Sequence, residues 1–310
     1  MDKGLKLICG DSLIELKKIP DKSIDLIVTD PPYNLSKDYG NNQDKLEFDE
    51  YLDFSRKWLF EAKRVLKDDG TIYVFMGMKY ISYIYNILEQ ELGMYFNSWI
   101  TWFYTQGIGK TKGYSPRHDD ILMFTKSSKK FTFNLDTIRV PQKYYMSVYN
   151  MRGANPWNVW EYSHMNYCNK NRKKHPTQKP EGLYERMILA SSNEGDTILD
   201  PFLGSGTLLR VCQQTNRKGI GIDINPEYIE MSRERLSEKF CGFDSIDERM
   251  QRVPNDLNDP QIRLEYIDNH IKWFLKNHPD AIGSFLEEVK NKYGSKLTQE
   301  EIIKFFSQTV

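Results

Sequence analysis

An acid, two prolines and a tyrosine, Asp30-Pro31-Pro32-Tyr33, directly follow an apolar segment in this sequence. The prolines fix φ of the turn behind the acid and lack N–H donors, so their carbonyls are left as acceptors. A carboxylate and the Pro31 carbonyl form a rigid pair of acceptors, which suits the two hydrogens of an amino group on a nucleobase. Tyr33 offers a ring on which that base could stack. The alternative is a plain strand-ending turn with a solvated Asp30.

A second candidate site is the segment LDPFLGSGT, in which Asp200 is followed by Gly204, Ser205 and Gly206. A strand, a glycine turn and a helix in this order place the turn at the carboxyl edge of a sheet, where α/β folds bind ligands. Asp223 ends the next apolar segment, where a carboxylate can accept both hydroxyls of a ribose. The pair predicts a cofactor that contains a nucleoside. An ordinary strand-to-helix loop is the alternative.

A nicotinamide cofactor and a metal are both disfavoured. Leu209 and Ile224 stand where the fingerprint G-x-G-x-x-G needs its third glycine or a small residue. The four cysteines have neither CxxC nor zinc-like spacing, so no metal site is predicted. They are Cys9, Cys168, Cys212 and Cys241.

Apolar strands and amphipathic helices alternate around these residues, as in βαβ units. The predicted strands are 6–9, 25–30, 71–77, 97–104, 120–126, 197–200 and 219–223. The predicted helices are 50–66, 80–92, 181–190, 205–215 and a last one that begins at Asn225-Pro226. Asp69-Gly70 marks the end of the first of these helices. The pattern predicts an α/β fold with a mostly parallel sheet. Because Asp30, Asp200 and Asp223 all end strands of that sheet, we expect them to project into one crevice.

The middle of the chain is basic although the formal net charge is zero. Residues 101–180 hold 14 Lys and Arg against 4 acids, and 14 aromatic residues are interleaved with them. Basic side chains can contact phosphates and aromatic rings can stack on bases, so their combination indicates a surface that binds nucleic acid. The alternative is a solvated charged face. The candidate DNA-binding residues are Lys110, Lys112, Arg117, Arg139, Lys143, Arg152, Arg172, Lys173 and Lys174.

Five segments together resemble the amino-methylating DNA methyltransferases. They are GDSLIELKKIPDKSIDLIVTDPPYN, RHDDILMFTK, HPTQKPEGLYERMI, ILDPFLGSGTLL and GIGIDINPEYIEMSRERL, and they span about residues 10–236. Their order, with DPPY first and the glycine loop last, resembles the circularly permuted beta class of that family. The resemblance implies a doubly wound, mostly parallel seven-stranded sheet of the Rossmann-like methyltransferase type. It also implies S-adenosylmethionine as the cofactor and a role in a restriction–modification system.

The resemblance also implies roles for individual residues. Asp30, Pro31, Pro32 and Tyr33 would form the catalytic motif. The cofactor-binding residues would be Phe202, Gly204, Ser205 and Thr207 around the methionine part, Asp223 at the ribose, Asp11 at the adenine end, and Thr177 and Lys179 at the carboxylate, with Asp200 and Gly206 completing the set.

The predicted reaction transfers a methyl group to the N6 amine of adenine in a flipped-out base, because an exocyclic amine cannot be reached inside a duplex. DPPY resembles the adenine enzymes, and N4 of cytosine is the alternative. Carbon-5 methylation is excluded because it normally needs a cysteine after proline, and no cysteine here follows one. Three competing functions stay open: an RNA amino-methyltransferase, a catalytically dead DNA-binding module and a nucleotide-dependent oxidoreductase.

Composition and length predict the organisation of the chain. With 39% hydrophobic residues, 28% charged residues and no apolar run near the ~18 that a membrane span needs, we expect a soluble cytoplasmic protein without a signal peptide. The predicted domains are a catalytic half (1–126), a target-recognition insertion (127–174), a cofactor-binding half (175–240) and a helical C-terminal extension (241–310). Double-stranded DNA is the expected partner, a cognate restriction endonuclease is a candidate partner, and a monomer or homodimer is expected.

Overall fold

The computed structural model describes residues 4–34, 45–104, 109–140, 154–162 and 178–238. They belong to two compact units. The smaller unit contains, among the described residues, 135–140 and 154–156, with the short helix α4 (Leu135–Ile138) and a bridge between Val140 and Ala154. All other described residues belong to the larger unit. The predicted extension 241–310 lies outside the described residues, and the predicted domain boundaries stay predictions.

The larger unit is built on one sheet. Its strands are β1 (Leu5–Cys9), β2 (Ile24–Thr29), β3 (Leu66–Met76), β4 (Tyr95–Phe103), β5 (His118–Thr125), β6 (Val159–Glu161), β7 (Thr197–Asp200) and β8 (Lys218–Asp223). Their order is β1-β8-β7-β2-β3-β5-β4-β6. The first five strands in this spatial order, from β1 to β3, are mutually parallel. Strand β5 is antiparallel to both β3 and β4, and β6 is parallel to β4. The predicted mostly parallel α/β fold is confirmed.

The predicted number of seven strands is wrong, because the described residues form eight. The additional strand is β6, which lies within the predicted insertion and pairs with β4 through Trp102 and Trp160. A strand of three residues is too short to show the alternation that identifies strands in a sequence.

Two groups of helices accompany the sheet. The first is α1 (Ser12–Glu15), α2 (Phe48–Val65) and α3 (Ile81–Asn86); α1 continues into a 3-10 turn (Leu16–Lys18), and α3 into a π-helical turn (Ile87–Glu91). The second is α5 (Glu181–Ser191), α6 (Thr207–Gln214) and α7 (Pro226–Ser237). Helix α2 contacts β3, and α5 contacts β2. Among the described residues, no helix combines the length and the apolar character that crossing a membrane requires.

Helix α2 shows why the chain folds locally as it does. It begins with a capping box at Glu47, and its apolar side chains recur on one buried face. It ends at Val65, one residue before the end of the predicted range 50–66, because β3 begins at Leu66, which pairs with Ile24, rather than at the predicted residue 71. A register shift between the first pairs of β2 and β3 accommodates this early start.

The connections of the sheet diverge between β2 and β7. From β2 the chain proceeds to β3 on one side, whereas from β7 it proceeds to β8 on the other. Ligands of open α/β sheets bind at such a switch point, outside the carboxyl ends of the strands. Asp30 directly follows β2 and Asp200 ends β7, so the two carboxylates flank the switch point.

Candidate active site

The Asp30 carboxylate has a hydrogen-bond partner at each oxygen. The Tyr33 hydroxyl donates to Oδ1 at 2.6 Å, and the Lys179 ammonium donates to Oδ2 at 2.6 Å. The side chains of Lys179 and Asp30 are only 6% and 14% exposed, so water screens this ion pair little. Burial, together with the nearby charge of Asp30, raises the pKa of Tyr33 well above its usual value, so its phenol is a neutral donor.

The two proline carbonyls of the motif have different surroundings. The Tyr51 hydroxyl donates to the Pro32 carbonyl at 2.8 Å, whereas no described residue donates to the Pro31 carbonyl. The Pro31 carbonyl thus lacks a donor among the described residues, and its role as an acceptor stays a prediction. Tyr51 was not among the predicted residues, although its helical spacing from Ser55 and Trp58 places it on the buried face of α2. A buried tyrosine hydroxyl usually finds a hydrogen-bond partner, which is the signal that could have identified it.

Asn34 fixes the chain directly after the motif. Its backbone is left-handed (φ 56°), a conformation that asparagine tolerates better than most residues. Its side-chain amide donates to the Leu46 carbonyl at 2.8 Å and to the Tyr80 hydroxyl at 3.0 Å, and its side-chain oxygen accepts from the Leu46 amide. Asn34 therefore holds the catalytic turn against the segment that leads into α2.

Lys179 lies among aromatic rings. Its ammonium is 5.3 Å from the ring centroid of Tyr33, 5.5 Å from that of Phe75 and 5.9 Å from that of Trp102. Electron-rich ring faces attract a cation at such distances. The sequence predicts that Lys179 faces the carboxylate of the cofactor; the structure shows its ammonium on Asp30, and the cofactor contact stays a prediction.

Asp200 links the catalytic motif to the glycine loop. Its Oδ1 accepts from the Thr29 hydroxyl at 2.9 Å and from the Phe202 amide at 3.0 Å. Burial, and to a lesser extent the charges of Asp30 and Asp223, raises the pKa of Asp200 to about 7. Because its side chain is bonded to the residue that precedes Asp30, Asp200 positions the end of β2. Its predicted contact with the cofactor stays a prediction.

The backbone of the glycine loop is left-handed at two positions and closely packed at one of them. Gly204 and Gly206 have left-handed backbones (φ 52° and 78°), and a Cβ at Gly206 would lie 2.6 Å from the Ser232 hydroxyl oxygen. The Asp223 carboxylate accepts from the Gly204 amide at 2.8 Å through Oδ2 and from the Asn225 amide at 2.9 Å through Oδ1. Burial raises the pKa of Asp223. Asp223 thus orients the loop as well as ending β8.

The hydroxyls of Ser205 and Thr207 are buried behind the loop. They lie 3.3 Å apart, and Arg235 donates to the Thr207 hydroxyl at 3.0 Å. Glu181 pairs with the same guanidinium at 2.5 Å. The Thr207 hydroxyl also donates to the Lys179 carbonyl at 3.4 Å, which connects Lys179 to the glycine loop.

Asp11 and Phe202 follow the carboxyl ends of β1 and β7. The Gly10 amide donates to the Asp223 carbonyl at 2.9 Å, so Asp11 follows β1 at the same edge and caps α1. The Phe202 ring packs edge-on against Trp58, with 5.3 Å between ring centroids. Thr177 lies outside the described residues. Within the described ranges, no group of three or more His, Cys, Asp or Glu side chains could hold a metal ion.

The predicted DNA-binding residues are only partly described. Lys110 and Lys112 are exposed in the segment between β4 and β5, at the edge where Asp30 lies, and Nη1 of Arg117 is buried without a hydrogen-bond partner in the described chain. Arg139, in the smaller unit, pairs with Asp136 at 2.6 Å. Lys143, Arg152, Arg172, Lys173 and Lys174 lie outside the described residues.

Comparison with known proteins gives a consistent result. A family model of N6/N4 DNA methylases matches residues 24–234. Type II methyltransferase M.HpaI from Haemophilus parainfluenzae is 73% identical over 296 residues, covering 96% of this chain and 94% of that protein. DNA adenine methyltransferase YhdJ from Escherichia coli (strain K12) is 39% identical over 243 residues, covering 74% of this chain and 82% of that protein.

Solved structures share the fold. The PvuII DNA methyltransferase, described as cytosine-N4-specific, has 21% identity and a TM-score of 0.62 over 84% of this chain and 90% of its own. The complex of M1.HpyAVI with S-adenosylmethionine has 24% identity and a TM-score of 0.56 over 76% of this chain and 100% of its own. The predicted cofactor, S-adenosylmethionine, is confirmed at the level of the family. From the matched model and these relatives, the chain belongs to the N6/N4 DNA methylase family.

Proposed function

We propose that this protein is a site-specific DNA methyltransferase that moves the methyl group of S-adenosylmethionine to the N6 amine of adenine in a short duplex target. The observation that carries the proposal is the pair of acceptors at one edge of the sheet, the Asp30 carboxylate and the Pro31 carbonyl. The carboxylate is held by Tyr33 and Lys179. The neighbouring Pro32 carbonyl is already engaged by Tyr51.

The residues around the glycine loop fit this cofactor. Gly204 and Gly206 form the turn at the start of α6, and the missing side chain of Gly206 lets this turn pack against Ser232 of α7. Asp223 and Asp11 supply carboxylates at adjacent strand ends, where the hydroxyls and the adenine of a nucleoside can donate to them. When bound, S-adenosylmethionine would supply the methyl group of its sulfonium for the new N–C bond, with a neutral thioether as the leaving group.

The acceptors would act on a poor nucleophile. The lone pair of an exocyclic amine is delocalised into its ring, so the amine attacks only when that lone pair is localised. Hydrogen bonds from the two amine hydrogens to Asp30 and Pro31 favour a pyramidal nitrogen and hold it in line with the methyl group. Asp30 is also the nearest base for the proton that the amine loses on methylation.

Adenine is supported by two observations. The motif is DPPY rather than its serine-led form, and the relative YhdJ, 39% identical, is described as an adenine methyltransferase. The likeness to the cytosine-N4-specific PvuII enzyme, at 21% identity, concerns the fold alone. N4 of cytosine remains the second candidate because it presents the same two hydrogens to the same acceptors.

The approach of DNA is supported by the edge on which the cations lie. Lys110 and Lys112 belong to the loop between β4 and β5, at the sheet edge where β2 and β3 have their carboxyl ends, and the fully exposed Tyr114 follows them. Because M.HpaI, 73% identical, is described as a type II methyltransferase, we place this protein in a restriction–modification system with a cognate endonuclease.

Sequencing that maps modified bases would test the proposal in cells. DNA from cells that express the protein should carry N6-methyladenine at one short sequence, and DNA from cells that express Asp30→Ala should not. N4-methylcytosine at that sequence would favour the second candidate. The absence of any modified base in the presence of folded protein would contradict both. Transfer of labelled methyl groups to RNA and not to duplex DNA would instead indicate an RNA methyltransferase.

A further inference from the structure

We propose that Lys179 controls access to the catalytic carboxylate: its ammonium competes with the target amine for Asp30, and the carboxylate of S-adenosylmethionine draws it away. The inference rests on the proposed function, because it assumes that Asp30 receives the target amine. Lys179 is on this basis a positioning residue, which acts on the reaction through Asp30.

The geometry at Asp30 shows the competition. Each oxygen already has a donor, Tyr33 at Oδ1 and Lys179 at Oδ2, both at 2.6 Å, so an incoming amine meets a donor at either oxygen. The ammonium is itself a nitrogen donor beside the Tyr33 ring, 5.3 Å from its centroid, where the target base is expected to stack. The rings of Phe75 and Trp102 also lie near the ammonium, with centroids at 5.5 Å and 5.9 Å. An amine and this ammonium cannot occupy the same place, so the base enters only when Lys179 moves.

The backbone of Lys179 lies at the glycine loop, where the carboxylate of S-adenosylmethionine is expected to bind. The Lys179 carbonyl accepts from the hydroxyl of Thr207, the first residue of α6 behind the glycine loop. A lysine has four rotatable methylene groups, so its ammonium can turn between Asp30 and a carboxylate bound at that loop. The neighbouring cation Arg235 is already paired with Glu181 at 2.5 Å. Arg235 also donates to the Ser205 carbonyl and the Thr207 hydroxyl, whereas Asp30 is the one hydrogen-bond acceptor of the Lys179 ammonium among the described residues. We therefore expect Lys179, rather than Arg235, to change its partner.

The energetics favour an exchange of partners over a simple opening. Removing one partner of a buried ion pair is costly because the other charge is left uncompensated. When one carboxylate replaces another, the ammonium stays paired throughout. A ligand can shift such an equilibrium only by its differential affinity for the two arrangements, and the carboxylate supplies that difference. By linkage, target DNA should then also tighten the binding of the cofactor.

Base entry can be followed directly in solution. The DNA is a duplex with 2-aminopurine next to the target adenine, which fluoresces when the neighbouring base leaves the stack. The ligands are S-adenosylhomocysteine, which has the carboxylate, and methylthioadenosine, which lacks it. We expect S-adenosylhomocysteine to increase the flipped fraction about tenfold, in keeping with one charge-assisted pair, and methylthioadenosine to leave it nearly unchanged. Equal effects of the two ligands on the wild-type protein would overturn the inference.

Variants make the test specific. Lys179→Met should give the high signal without any ligand, whereas Lys179→Arg keeps the charge and should keep the dependence on the carboxylate. The matched control is Lys67→Met, which removes a lysine paired with Asp25 at 2.5 Å away from the site and should behave as wild type. Lys179→Met with the wild-type ligand dependence would contradict the inference. If the wild type methylates no DNA, the proposed function fails; if it methylates DNA but shows no carboxylate dependence, only the inference fails.

Discussion

Replacing Asp30 by asparagine should affect both turnover and stability. The side chain keeps its shape, and its amide oxygen can still accept from the Tyr33 hydroxyl at Oδ1. In the wild type the Lys179 ammonium lies 2.6 Å from the other carboxylate oxygen. In the variant it would face an amide NH₂ or an uncharged oxygen at that position. The variant therefore loses both the charged acceptor for the target amine and the counter-ion of a buried lysine.

The structure sets the size of each loss. The ion pair is nearly inaccessible to water, with side chains 6% and 14% exposed, so solvent screening gives little relief. Removing one partner of a buried pair costs about 3–5 kcal/mol of folding free energy. Removing one preorganised electrostatic contact to the reacting group lowers kcat by roughly 10²–10³-fold. Asp30→Asn should show both losses.

The double variant Asp30→Asn with Lys179→Met should uncouple them. It removes both charges together, so the unfolding free energy should return to within about 1 kcal/mol of the wild-type value. Turnover should stay as low as in Asp30→Asn. Urea unfolding measures the first quantity, and single-turnover transfer of a labelled methyl group to duplex DNA measures the second.

Two results would refute this reasoning. One is an Asp30→Asn protein whose single-turnover rate is within a factor of about ten of wild type, since that excludes the carboxylate as the main acceptor. The other is a double variant that is no more stable than Asp30→Asn, since the ion pair would then not be the source of the loss. Asp25→Asn is the matched control, because its partner Lys67 is paired at 2.5 Å elsewhere in the fold; its turnover should be unchanged.

Three further predictions concern the glycine loop, a buried carboxyl and the DNA surface. Gly206→Ala forces alanine into a left-handed backbone, with a strain of about 1–2 kcal/mol, and should weaken cofactor binding about tenfold in calorimetry. An unchanged affinity would contradict the role of this loop in cofactor binding. Burial raises the pKa of Asp200 to about 7, so the protonated form stabilises the fold, and this stability is lost as pH rises from about 4 through 7. Asp200→Asn should flatten that fall in urea titrations, whereas the exposed Asp53→Asn should not; an unchanged pH dependence in Asp200→Asn would refute the assignment. Replacing Lys110 and Lys112 by glutamine should reduce the salt slope of DNA binding by about 2, and an unaltered slope would show that they contact no phosphate.

The sequence was sufficient to predict the elements that carry the site. Strand 197–200 has the predicted bounds, and most other strands and helices differ by one to three residues at an end. These elements are strongly periodic or bounded by glycine and proline, which act locally. Since parallel strands end at one edge, the convergence of Asp30, Asp200 and Asp223 also followed from local signals.

The contacts between distant segments could not be predicted in the same way. Lys179 and Asp30 are 149 residues apart, and no local pattern joins them. The bond from Tyr51 to the Pro32 carbonyl depends on how α2 packs on the sheet. Strand β6 has three residues, too few for a period, and the start of β3 at Leu66 is set by its pairing with β2 rather than by its own sequence.

We propose that this protein methylates an adenine amine in duplex DNA. The most direct measurement is to incubate purified protein with S-adenosylmethionine and duplex DNA that contains the target, digest the DNA to nucleosides and identify the methylated product by mass spectrometry. N6-methyldeoxyadenosine is predicted, and it should be absent with Asp30→Ala. N4-methyldeoxycytidine without N6-methyldeoxyadenosine would contradict the claim.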